Sequence, residues 1–253
     1  MSLDVREAAE ALLSGEEREP LTDAWPELDV DTAYAIQDEA LRLRLERGET
    51  LIGVKLGLTS RAKQQRMGID SPMLAWLTDA MVLPAGVPVP SLIHPRAEPE
   101  LVFVLGQRLS GPGVTAATAM AAVDRVYGGV EIIDSRYRDY RFALPDVVAD
   151  NGSSAYVTLG PVGAQPASLD LSLEAALLEV DGAIVDTATG AAVLGHPAEA
   201  LALAANALGT RGRALEPGWL VFTGGMTDAV DVRPGSRVAA HFSNLGSITL
   251  AGS

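Results

Sequence analysis

The chain has 253 residues, 48% of them apolar, enough to bury a sizeable core and too many for a disordered polymer. Its formal net charge of −14 repels phosphate backbones and anionic headgroups, which argues against nucleic-acid and membrane-surface partners. There is no cysteine, so disulfides, thiolate nucleophiles and Cys-ligated metals are excluded. The first residues, MSLDVREAAEALLSGEE, carry acids and no apolar signal-type run, and no stretch reaches the roughly 18–20 apolar residues of a membrane span. These features point to a soluble, cytoplasmic protein.

Taken in chain order, residues 3–14 place Val5, Ala8, Ala9, Leu12 and Leu13 at helical spacing, with Gly15 as a stop. A second helix is expected over 32–46 behind Asp31 as cap, with Ile36, Ala40 and Leu43 as its buried stripe and Gly48 closing it. LTDAWPELD between them reads as a loop anchored by Trp25. Near residue 50 the texture changes, which divides the chain into a helical segment, 1–50, and a β-rich domain, 51–253. Short apolar runs bounded by Gly and Pro, at 51–59, 81–84, 100–106, 129–134 and 155–160, have the pattern of buried strands. Asp181–Gly182 sits between two alternating runs and predicts a two-residue hairpin. GWLVFTGG, SRVAAHF and GSITLAG continue the strand pattern to the end. Helices are expected over 115–126 and 197–208, the latter opening on Pro197 and closing on Gly209. Strands in runs with helices inserted, rather than in strict alternation, indicate an α+β fold.

Three carboxylates stand out. Glu98 and Glu100 flank Pro99 at the entrance to a strongly apolar strand, and alternate residues of an extended segment face the same way. Pro99 removes a backbone donor, which favours a strand edge or entrance. Glu131 lies within the apolar run GGVEIID, where a buried carboxylate needs a cation or a proton. Spacing leaves two readings open. Glu98 and Glu100 form a solvated edge while Glu131 pairs with an arginine, or all three hold a hard, oxygen-preferring ion such as Mg²⁺ or Mn²⁺.

The blocks GVKLGLTSRAKQQRMGIDSP, HPRAEPE, GGVEIIDSRYRDYRFALPDVVADNGSS, AAVLGHPAEALALAANAL and GWLVFTGGMTDAV occur in order and cover most of the chain beyond residue 50. On these blocks the sequence resembles the fumarylacetoacetate hydrolase superfamily, in its hydratase and decarboxylase branch. The resemblance implies a rolled, mostly β core with a small helical N-terminal part. It implies Mg²⁺, with Mn²⁺ as a substitute, on Glu98, Glu100 and Glu131, and Lys55 lining the pocket as a catalytic group. It also implies a small 2-oxo acid substrate, a homo-oligomer and a possible complex with a paralogous hydratase.

Hydrolases of the superfamily use a His–Glu pair in their N-terminal part, whereas the first histidine here is His94, so hydrolysis ranks third. The IDSRYRDYRFALPDVVADN and FTGGMT blocks are closer to the decarboxylases than to the hydratases. The expected reaction is Mg²⁺-dependent decarboxylation of 2-oxo-3-hexenedioate to 2-hydroxypenta-2,4-dienoate in meta-cleavage aromatic catabolism. The alternatives are hydration of 2-hydroxypenta-2,4-dienoate to 4-hydroxy-2-oxopentanoate and, behind it, a non-catalytic partner subunit.

Further candidates come with plainer readings beside them. Leu58, Thr59 and Ser60 follow Lys55 and could line the site, while Arg61 and Lys63 most simply face solvent. Asp150 and Asn151 read as an Asx-turn or cap, and the resemblance puts them beside the pocket. Arg136 is open between a metal-ligating carboxylate and the acidic substrate as its partner. Thr223 and Gly224, with Gly225, could offer backbone N–H groups to a carboxylate or form a plain strand-end turn. Leu194 is a candidate pocket edge, His196 a helix-entry residue, and Trp76 a packing residue of a lid or interface.

Overall fold

The computed structural model describes residues 3–59, 64 and 72–253. Ser60, Arg61 and Lys63 lie outside these described residues.

The chain opens with α1 (Val5–Leu13), capped by the Asp4 carboxylate, then α2 (Leu21–Ala24) and α3 (Val30–Glu46). Two expectations change here. LTDAWPELD contains the short α2, and α3 begins earlier than expected because Asp29, not Asp31, accepts the capping hydrogen bond from Thr32 N at 2.8 Å. Ala8, Ala9, Leu12, Ala33, Ile36, Ala40 and Leu43 pack with Met73, Ala75, Tyr137 and Val147–Ala149 in one buried cluster. The helices therefore brace two pieces of the later chain, the segments 73–78 and 144–149.

A seven-stranded mixed sheet carries the rest. Its strands are β1 (Leu51–Gly57), β2 (Met73–Thr78), β3 (Arg96–Leu105), β4 (Val123–Ile133), β5 (Ser154–Ala164) and β8 (Leu220–Phe222), with the two-residue β9 (Val230–Asp231). They lie in the order β2-β1-β8-β3-β4-β5, and β9 joins β3. A second sheet, β11-β10-β6-β7, is built from β6 (Ala175–Val180), β7 (Ala183–Thr189), β10 (Arg237–Phe242) and β11 (Gly246–Ala251). Mixed sheets with inserted helices make the fold α+β, with a mostly β core.

The expected hairpin at Asp181–Gly182 joins β6 to β7, both residues taking the positive φ that a tight turn requires. The 81–84 run is not a strand: a single 3₁₀ turn ends at Met81 and Val82 makes one isolated bridge to Val157. The helix expected over 115–126 stops at Met120 (α4, Ala116–Met120), because from Val123 the chain pairs with β3 and sheet hydrogen bonding overrides local periodicity. Met73–Thr78 and α5 (Leu144–Ala149) have no counterpart in the sequence reading. Trp76 lies on β2, buried, with its indole N–H donated to Asp38 at 2.9 Å, and so belongs to the core rather than to a lid.

The last helix, α6 (Pro197–Thr210), extends past Gly209 to a cap at Arg211. Gly209 is small for packing reasons: a Cβ there would come within 2.8 Å of the Gly111 backbone. The sheet divides its faces by strict alternation. Val54, Leu101, Phe103, Val130, Ile132 and Val221 join Leu201, Ala205, Leu178 and Phe242 in the main core. Val102, Val157, Phe222 and Leu77 form a small cluster on the opposite face. That second face carries Lys55, Glu98, Glu100 and Glu131, since each is an odd number of residues from a main-core neighbour on its own strand.

Candidate metal centre

Glu98 and Glu131 are direct partners in the antiparallel β3–β4 ladder, and Glu100 follows two residues along on the same side of β3. One carboxylate oxygen from each of the three lies within 4.8 Å of the others. Glu100 and Glu131 are completely buried and Glu98 is 9% exposed. Pro99, expected at an edge or a strand entrance, lies inside the sheet opposite Val130. Its carbonyl accepts from Met226 N at 2.9 Å, on the side where β8 ends and β9 has not begun, so its missing N–H falls in a gap of the ladder.

The 223–226 segment shapes this corner. Gly224 N donates to Glu100 Oε2 at 2.7 Å, so the backbone here holds a protein carboxylate. A Cβ at Gly225 would sit 2.1 Å from Glu98 Oε2, which makes glycine a condition of that carboxylate's position. Thr223 is fully buried, and its hydroxyl donates to the Leu101 carbonyl at 2.9 Å. Thr59 packs against Gly224, and its carbonyl accepts from Leu194 N at 3.3 Å. Leu194 thereby ties the loop before α6 to the end of β1 while packing against the main core.

Lys55, 3% exposed, projects from β1 into the same space. Its Nζ donates to Glu131 Oε2 at 3.2 Å and to the Gly152 carbonyl at 2.8 Å. Burial pushes the Glu100 carboxyl well above the usual carboxylate range, reinforced by the charges of Glu131 and Glu98; the Gly224 N–H and Lys55 pull the other way. Burial also raises Glu131, against the attraction of Lys55 and with Glu98 adding to the rise. Glu100 Oε1 and Glu131 Oε1 are buried without a hydrogen-bond partner among the described residues. Two orphaned carboxylate oxygens in an all-oxygen set fit a hard divalent cation, which would supply the missing partner.

Lys55 and Glu98 open on a cavity of about 460 Å³ whose walls also include Leu58, Met73, Arg96, Phe142 and Ser153. Asp150 and Asn151 line a separate, smaller cavity. The buried Asp150 carboxylate is bound by the Arg136 guanidinium and by Ser153 Oγ at 3.1 Å. This answers the question left open for Arg136: its partner is a carboxylate outside the acidic trio. Burial raises the Asp150 carboxyl, and Arg136 holds it down. The Asn151 amide pairs like a strand residue with Trp76, accepting from its N–H at 2.8 Å and donating to its carbonyl at 2.9 Å. His196 caps α6, its Nδ1 accepting from Ala198 N at 3.1 Å. Arg96, Met73, Tyr140 and Phe142 were not singled out from sequence. Of these, Arg96 had a legible signal, lying two residues before Glu98 in an extended run.

The fumarylacetoacetate (FAA) hydrolase C-terminal family matches residues 51–250. A 4-oxalocrotonate decarboxylase of Pseudomonas putida is 41% identical over 231 residues, covering 90% of this chain and 88% of that one. A 2-hydroxyhexa-2,4-dienoate hydratase of Comamonas testosteroni is 38% identical over 245 residues, covering 95% and 93%. The structure of 4-oxalocrotonate decarboxylase from Pseudomonas putida G7, complexed with magnesium and adipate, matches with a TM-score of 0.96 at 36% identity, over 100% of this chain and 99% of that one. Across residues 51–250, then, this chain belongs to the fumarylacetoacetate hydrolase C-terminal family.

Proposed function

We propose that the chain is a magnesium-dependent carboxy-lyase that converts 2-oxo-3-hexenedioate (4-oxalocrotonate) to 2-hydroxypenta-2,4-dienoate and CO₂. The observation that carries this reading is the buried, oxygen-only trio Glu98, Glu100 and Glu131 with two unpartnered oxygens beside Lys55. It stands in a chain 41% identical to a relative described as a 4-oxalocrotonate decarboxylase.

Held by these three carboxylates, Mg²⁺ (or Mn²⁺) would supply a Lewis acid for the 2-oxo acid end of the substrate. The residues of the chain do the rest. Lys55, fixed by Glu131 and the Gly152 carbonyl, points its ammonium at the cavity and donates to the 2-oxo acid oxygens, where negative charge develops. The C5–C6 bond breaks, CO₂ leaves, and the bonding pair moves through the C3–C4 alkene to the C2 oxygen. That oxygen takes up a proton to give the enol product. Leu58, Met73, Phe142 and Val147 face the carbon chain and exclude water, which strengthens each charge interaction within. Leu58 lines the cavity, and Thr59, Ser60, Asp150, Asn151, Leu194, Thr223 and Gly224 complete the proposed substrate-binding group.

The same dienolate chemistry serves a hydratase, and hydratases stand among the relatives at 38% identity, so hydration of 2-hydroxypenta-2,4-dienoate is the second reading. Among the described residues no helix is long and apolar enough to cross a membrane. A cytoplasmic homo-oligomer able to associate with a paralogous hydratase completes the proposal. The test supplies purified protein with each substrate, with and without Mg²⁺. Metal-dependent CO₂ release from the dioate supports the lyase. Water addition to the dienoate without CO₂ release from the dioate replaces it with the hydratase.

A further inference from the structure

The cavity that holds Lys55 and Glu98 has a second basic wall. Arg96, Glu98 and Glu100 occupy alternate positions of β3, so all three project from one face of one strand. Arg96 and Glu98 line the same cavity, and two residues along a strand span roughly 6.6 Å. Five C–C bonds of about 1.5 Å laid in a zigzag span roughly 6 Å, the length of a six-carbon dioate. We propose that Arg96 binds the distal carboxylate of the substrate, and so makes this pocket select 2-oxo dioates over 2-oxo monoacids. The inference rests on the 2-oxo acid reading of the pocket given above.

Three features of Arg96 support the role. Its guanidinium lies 4.1 Å from the centroid of the Tyr140 ring, a stacking that holds the plane of the fork. Its Nε donates to Asp231 at 3.2 Å, and among the described residues neither Nη group has a hydrogen-bond acceptor. With 41% of its side chain exposed, it presents that free pair of donors to an incoming ligand. Tyr140 is itself held by hydrogen bonds from its hydroxyl to the carbonyls of His94 at 3.2 Å and Ile133 at 3.1 Å, so the platform under Arg96 is rigid.

Charge argues for the role. The protein carries −14 overall and three glutamates in this corner, so a dianionic ligand needs cations at both ends. Lys55 is engaged with Glu131 and the Gly152 carbonyl, at the end where the 2-oxo acid sits. Among the described residues lining the cavity, Arg96 is the other cation. Because the distal carboxylate leaves as neutral CO₂, a cation on it stabilises the bound substrate more than the transition state. Arg96 is therefore a specificity residue, and its loss acts on KM more than on kcat.

The test compares 2-oxoadipate with 2-oxohexanoate, which differ in the distal carboxylate alone, by calorimetric titration of the Mg²⁺-loaded protein. Wild type should bind the dioate at least about tenfold more tightly, as a charge-assisted fork to a carboxylate implies. Arg96→Gln should lose most of that preference and keep its affinity for 2-oxohexanoate, and Arg96→Lys should regain part of it. A preference that survives in Arg96→Gln, equal loss of both ligands, or no preference in wild type overturns the assignment. CO₂ release from 2-oxo-3-hexenedioate by wild type is measured alongside. Release with an Arg96-independent preference removes the Arg96 role and leaves the lyase. An Arg96-dependent preference without release removes the lyase and leaves Arg96.

Discussion

Glu98 and Glu131 face each other directly across the β3–β4 ladder, two like charges at a position where opposite charges or apolar pairs are the stable choice. With Glu100 beside them and burial around all three, the arrangement is tolerable when protons or a cation neutralise it. Glu131→Gln is expected to lower Mg²⁺-dependent turnover at least about a hundredfold and to weaken Mg²⁺ binding in calorimetry. Wild-type turnover with unchanged metal dependence in that variant removes Glu131 from the site.

Acid should compete with the metal. The folded-state values of Glu100 and Glu131 lie above the ordinary carboxylate range, so the metal-free protein binds protons there that the unfolded chain has already released. Stability of the metal-free protein therefore falls as pH rises from the unfolded carboxylate range through these raised values. Metal binding needs the ionised forms, so it releases protons and tightens with rising pH over the same window. Calorimetry in buffers of different ionisation enthalpy measures the proton release; a pH-independent affinity with no proton release contradicts it.

Gly225→Ala tests the site by steric means alone. The added Cβ would fall 2.1 Å from Glu98 Oε2 and force the carboxylate aside. Mg²⁺ affinity should drop about tenfold or more while circular dichroism and the melting temperature show an intact fold. Unchanged affinity in a folded variant means that Glu98 does not need its present position.

Lys55→Met keeps a long apolar stem and removes the ammonium. The expected result is a fall in kcat of about a hundredfold to a thousandfold, the usual cost of losing one donor to developing charge. Mg²⁺ binding should persist or tighten, because one positive neighbour of Glu131 has gone. Loss of metal binding together with activity would mean that Lys55 organises the site rather than the reaction.

Asp150 is a stability residue if its bond to Arg136 dominates. Asp150→Asn leaves a partly buried guanidinium facing a neutral group and should lower stability by about 3 kcal/mol in denaturant titration. KM should stay near wild type. A large rise in KM at wild-type stability reverses that assignment and returns Asp150 to the substrate.

Much of the architecture was legible in the chain because it depends on local rules. The short apolar runs of β3 and β4, the Asp181–Gly182 turn and the Pro197 helix start all follow from the preferences of a few adjacent residues. Local rules lose where distant segments decide. Val123–Val126 read as helix and is strand because β3 pairs with it, and Gly209 read as a cap but clears space for Gly111.

For the site, the sequence determined the chemistry on offer: three oxygen-donor acids, a lysine in an apolar strand and no thiolate. Residue type and strand period carry that much, since alternation alone puts Glu98 and Glu100 on one face. What only the tertiary structure decided is which partners meet. The β3–β4 register sets Glu131 opposite Glu98, β1 brings Lys55 to Glu131, and the turn at 224–225 clears room for Glu98 while binding Glu100. Register and close approach are set by pairing between segments dozens of residues apart, and no local pattern records them. Buried within that pairing, the carboxylates lose water as a partner, and that loss turns an acidic strand into a cation site.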